Sequence, residues 1–163
     1  MTKRIIAMMT AVVIIITFML SGCGKQLSMQ DYYDQLGANF KEYVAATKDF
    51  SSIQTNVTTA AQAEQEKSKA QELCKKAETV LDKFAKMQPP SKYSEKHNEL
   101  IKSIELEKKF WEASAKIFTA KTDSEISQYT SDAEAVFDGT PSEKQFAPLY
   151  KDLYLSVKAE LEK

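Results

Sequence analysis

From Ser28 onward the apolar residues recur at three- and four-residue steps, and that period confines the chain to helices. Tyr33, Leu36, Phe40, Tyr43, Thr47 and Phe50 trace a first stripe, and Ala70, Leu73, Cys74, Ala77, Val80, Leu81 and Phe84 a second. A third runs through His97, Leu100, Ile101, Ile104, Trp111, Ala115 and Phe118. Ile126, Tyr129, Ala133, Val136 and Phe137 form a shorter fourth, and Phe146, Leu149, Tyr150, Leu153, Tyr154, Val157 and Leu161 form the last. No comparable alternation at period two occurs, so strands are not expected.

Helix punctuation agrees with the stripes. Ser28 with Asp31, Thr59 with Gln62 and Thr122 with Glu125 each fit a side-chain cap. Thr140-Pro141-Ser142-Glu143, after the helix-stopping Gly139, has the strongest helix-start pattern, with cap, Pro at the first helical position and Glu three residues after the cap. Pro89-Pro90 ends the second helix, and Ser91 is placed to cap the third. The Ala-rich stretch from Thr58 to Gln71 is expected to fray beyond the core. These signals predict an all-α fold, an antiparallel up-down bundle of four to five helices, with three long helices followed by a broken fourth pair and short connections.

Charge narrows the function. The 163 residues carry a formal net charge of −1, which excludes a strongly basic nucleic-acid binder. Arg4 is the sole arginine, so bidentate clamping of phosphate or carboxylate is not expected. The remaining basic residues are lysines, a bias that points to an AT-rich, low-GC bacterium.

The amino terminus is built differently from the rest. Lys3 and Arg4 precede a nearly unbroken apolar run from Ile5 to Leu20, and small residues follow before Cys23. That is the layout of a secretory signal peptide, and the run of about 16 residues is short for a transmembrane helix. Leu20-Ser21-Gly22-Cys23 resembles the lipobox of bacterial lipoproteins: an aliphatic residue, two small ones, then cysteine. The resemblance implies cleavage between Gly22 and Cys23, a diacylglyceryl group and palmitate-type acylation on Cys23, and anchoring at the outer face of the cell membrane. Two acyl chains suffice for stable anchoring where one does not. Gly24 stands where some Gram-negative lipoproteins carry an inner-membrane retention Asp. The expected organisation is thus residues 1–22 as signal peptide, 23–28 as lipidated cysteine and short tether, and 29–163 as one helical-bundle domain. Loss of Lys3 and Arg4 takes the formal charge from −1 to about −3, against electrostatic capture of anionic lipid.

Catalytic patterns are scarce. His97 is the only histidine, and Ser94 stands three residues before it, so the Glu-x-x-His pairs of di-iron bundles are missing. No Cys-x-x-Cys-His, phosphate loop, Gly-x-Ser-x-Gly or His-Glu-x-x-His occurs. Cys74 lies on an apolar stripe and reads as a small core residue. In a hairpin about Pro89-Pro90, Cys74 and His97 are offset by roughly 13 Å along the axis, too far for a thiol–imidazole pair. Glu105, Glu107 and Glu112 stand beside Lys108, Lys109 and Lys116, the pattern of a solvated, ion-paired face. Tyr32, Tyr43, Tyr129, Tyr150 and Tyr154 read as the rims of the core.

The most individual stretch is Pro89 to Ile104. Tyr93 and His97, four residues apart at a helix start, have two readings: a lock on the helical hairpin, or the polar end of a small ligand pocket. The Pro, Tyr, His order resembles that of small uncharacterised helical lipoproteins of Gram-positive bacteria. The expected function is a membrane-anchored, extracytoplasmic, non-enzymatic binding or scaffolding module for an envelope partner protein, needing no cofactor or metal. The alternative is a small-ligand or cofactor-binding bundle with its pocket near Tyr93 and His97.

Overall fold

A computed structural model describes residues 26–163; the expected signal peptide and lipobox-like stretch, with Cys23, lie outside the described residues. Five helices follow one another: α1 Met29–Gln54, α2 Ala60–Lys86, α3 Ser94–Ile117, α4 Asp123–Ala135 and α5 Phe146–Leu161. Short 3-10 turns at Ser91–Tyr93 and Ser142–Lys144 precede α3 and α5, and the described residues contain no strand. The all-α expectation holds.

Cross-helix partners give the direction of each arm. Tyr32 meets His97, Tyr43 meets Trp111 and Phe50 meets Phe118, so α1 and α3 run parallel. Tyr154 meets Tyr33, Tyr150 meets Phe40 and Phe146 meets Tyr43, so α5 runs against α1. Lys121 reaches Glu64 while Lys108 reaches Asp82, which sets α2 against α3. The α4 start, Asp123, bonds the Ala60 backbone near the far end of α3, and Phe137 packs on Phe110. The molecule is an up-down-up-down bundle whose fourth arm is divided into α4 and α5.

Aromatic rings fill the interior. Phe146 is the hub, with ring centroids 5.0 Å from Tyr43, 5.4 Å from Phe84 and 6.3 Å from Phe40. Trp111 lies 5.1 Å from Phe50, which lies 5.6 Å from Phe118 at the far end. Each such fully buried large side chain contributes roughly 1.5–3 kcal/mol relative to exposure.

Three caps form as expected. Ser28 accepts from the Asp31 N–H, and Thr59 with Gln62 and Thr122 with Glu125 close full capping boxes. The Ala-rich stretch is helical from Ala60, whose N–H also donates to Asp123, and Ala63 and Ala70 are buried in the core.

Two expected helix starts are corrected. Ser91 does not cap α3, which begins at Ser94 after a 3-10 turn; the Ser91 hydroxyl instead accepts from Gln26. Thr140-Pro141-Ser142-Glu143 makes only a turn, and α5 begins at Phe146 without a side-chain cap. Pro148 explains this. A helix running on from Pro141 would hold Pro148 in its interior, without an N–H and with its ring against the Lys144 carbonyl. Extended backbone at Gln145 restarts the helix so that Pro148 falls in a first turn, where N–H groups have no intrahelical partner.

The register of α1 also shifts. Tyr32, Leu36, Tyr43, Ala46, Phe50 and Ile53 are its buried residues, while Tyr33 and Phe40 are partly buried and Thr47 lies at the margin. Tyr32 is therefore core, not rim. Helix α1 packs on α2 and α5 and reaches across to α3 through Tyr32, Tyr43 and Phe50, so its buried arc is broader than one stripe.

Candidate functional site

The Tyr93 and His97 pair closes one end of the bundle. Both are buried, and both converge on Tyr32 of α1. His97 Nδ1 lies 2.8 Å from the Tyr32 hydroxyl, and the Tyr93 hydroxyl donates to the Ser156 carbonyl at 3.0 Å. Burial lowers the imidazole pKa to about 4, with the nearby Phe84 carbonyl partly opposing the shift. Nε2 has no partner of good hydrogen-bond geometry. The ring is thus neutral at physiological pH, and its one well-formed hydrogen bond is internal. Cys74 is similarly enclosed, its thiol pushed up to about 12 by burial and then by Glu78. A thiol held protonated is a poor nucleophile.

A second cluster lies where the fourth arm breaks, and sequence reasoning placed its central residue wrongly. Glu107 is not on the solvated face with Glu105 and Glu112. It turns inward and accepts a hydrogen bond from the Tyr43 hydroxyl. Burial is the main cause that raises its carboxyl pKa above the usual range, and the Tyr43 hydrogen bond partly offsets it. Trp111 Nε1 donates to the Tyr43 oxygen at 3.2 Å. An indole N–H can only donate, so the phenol proton is directed to Glu107 and the tyrosine is fixed in orientation. Lys108, the adjacent cation, turns away to Asp82.

Glu107 and Tyr43 open on a cavity of about 330 Å³, walled by Phe110 and Phe137 on one side and by the first turn of α5, Phe146 to Pro148, on the other. Across Pro148 lies a more apolar groove of about 490 Å³ lined by Phe40 and Tyr150. A third hollow, about 340 Å³, lies beside α5 between Glu99, Lys102 and Lys144. These three hollows are lined by residues other than Tyr93 and His97. Among the described residues, no group of three His, Cys, Asp or Glu side chains is placed to hold a metal ion, and no helix is long and apolar enough to cross a membrane.

A signal for Glu107 was present in the sequence. Ile104, Glu107, Trp111 and Ser114 follow the same three- and four-residue steps as the third stripe, so a carboxylate occupies an apolar position. Counting apolar residues alone passes over it. No protein-family model matches the chain, and no curated protein or solved structure is significantly similar to it.

Proposed function

We propose that this protein is a lipid-anchored, extracytoplasmic binding module, fastened through Cys23 to the outer face of a cell membrane and acting on an envelope partner without catalysis. The anchored reading is supported by Leu20-Ser21-Gly22-Cys23 following the apolar run from Ile5, and the docking of the residues just after it bears on how the domain would sit. Gln26 Nε2 donates to the Pro89 carbonyl at 2.9 Å and to the Ser91 hydroxyl at 3.0 Å, and the Leu27 N–H donates to Gln88 at 3.0 Å. Only Gly24 and Lys25 separate Cys23 from this contact, a span of at most roughly 10 Å. A lipid on Cys23 would hold the α2–α3 turn at the membrane surface and direct the α1–α2 loop about 40 Å outward along α1.

The anchor is tested by metabolic labelling with a palmitate analogue and by cell fractionation. Wild type should be labelled and recovered with membranes, whereas Cys23→Ala should be unlabelled and lose membrane retention. Equal membrane recovery of the two proteins would remove the anchor from the proposal. Cross-linking on intact cells then tests the partner: one envelope protein captured by wild type and lost with Cys23→Ala supports the module, and no specific capture of an abundant, folded protein counts against it.

The cavity beside Glu107 favours a second reading, a small-ligand binder. It moves the ligand site away from Tyr93 and His97, whose hydroxyl and Nδ1 are engaged inside the bundle.

A further inference from the structure

We propose that the cavity at the break of the fourth arm binds a small organic cation, with Glu107 as counter-charge and Phe110 and Phe137 as the aromatic wall. The inference rests on the small-ligand reading and names the chemistry of its ligand.

Three features carry it. The first is the state of the carboxylate. One oxygen, Oε1, accepts from Tyr43, the other has no protein donor, and the half-buried Glu107 lines the cavity. Among the described residues no lysine ammonium pairs with Glu107, because Lys108 is held by Asp82 and Lys121 by Glu64. The second is preorganisation: the Trp111 to Tyr43 to Glu107 chain holds the carboxylate in place before any ligand arrives. The third is the wall. Phe110 and Phe137 are tilted against each other with centroids 5.3 Å apart and border the same space.

These features select among cations. A hard metal ion requires several oxygen ligands, whereas an alkylammonium is satisfied by one carboxylate and aromatic faces. The first turn of α5 brings a partial positive charge to the opposite rim. A cation therefore seats on the α3–α4 side, against Phe110 and Phe137. The volume of about 330 Å³ is at the small end of small-molecule pockets, which fits a compact ammonium compound and excludes a folded partner.

The test uses the single tryptophan. The full-length chain, labelled with ¹⁵N and held in detergent, gives one indole N–H resonance, from the group that donates to Tyr43. Choline, butylammonium and 3,3-dimethylbutan-1-ol, the neutral carbon isostere of choline, are titrated separately. The expected result is a saturable shift with both cations and affinity weaker by about tenfold or more for the neutral isostere. Glu107→Gln, which keeps an acceptor for Tyr43, should weaken choline binding to a similar degree. Phe137→Leu, which keeps apolar volume but removes the π face, should weaken it several-fold with an unchanged circular dichroism spectrum. Equal affinity for choline and its isostere, undiminished binding in both variants, or no saturable shift with either cation would each overturn the inference. Membrane retention through Cys23 and capture of an envelope protein are measured independently, so failure here leaves the anchored-module reading to its own tests.

Discussion

His97 is buried in the bundle and Glu107 is half-buried where it lines the cavity, and burial moves their pKa values in opposite directions because it disfavours whichever form is charged. For His97 the unfolded chain takes up a proton near pH 6.5 and the folded chain only near pH 4. Between those values the unfolded state binds more protons, so stability is lost as pH falls through the window and the loss is complete below it. The full effect is at most about 3 kcal/mol. Glu107, with its raised pKa, contributes in the opposite sense, its penalty growing as pH rises through the folded value. Comparison with a histidine variant isolates the first effect. Urea unfolding at pH 7 and pH 4.5 should show wild type losing about 2 kcal/mol more than His97→Gln across that interval. Equal losses would assign the acid sensitivity to other groups. At this scale Cys74 was legible as core from its neighbours, whereas the inward turn of Glu107 showed only in its place on the third stripe, and flanking lysines gave it the look of a surface charge.

Helix boundaries were legible wherever a side chain does the capping. Thr59 and Thr122 each close a box that four residues of sequence specify completely. Thr140 has a similar local pattern and caps no helix, because Pro148 forbids the helix it would begin. The two threonines therefore have different costs on truncation. Thr122→Ala should destabilise the protein by about 1 kcal/mol, and Thr140→Ala by less than about 0.5 kcal/mol, measured as unfolding free energies in urea. Similar losses at both positions would mean that the Thr140 turn is held by its side chain after all. The stripe on α3 shows a comparable limit. Ser103 and Ser114 are buried, and the Ser103 hydroxyl bonds back to the Leu100 carbonyl at 2.7 Å, so polar residues complete a face that apolar counting leaves with gaps.

For the whole molecule, Cys74 provides a gauge of cooperativity. Its thiol is buried in the shared core and held protonated, so an alkylating reagent reaches it only through opening of the bundle. With Cys23 replaced by Ala, labelling of Cys74 in native buffer should be slower than in urea by several orders of magnitude and should follow the unfolding midpoint. Rapid native labelling would show that α2 opens locally. The hub formed by Phe146 has no counterpart in the sequence taken segment by segment. That residue opens the last helix, yet it packs on Phe40 and Tyr43 of α1 and Phe84 of α2, far apart in the chain. The sequence by itself determined the helical class, the number of arms, the interruption of the fourth and three of the caps, because these depend on local periodicity and on hydrogen bonds spanning a few residues. The tertiary structure alone decided the wider buried arc of α1 and the union of Tyr43, Glu107, Trp111 and Phe137 around one cavity. Those outcomes depend on which helix faces meet, and the energy of burying a side chain is set by its neighbours in space and not by those along the chain.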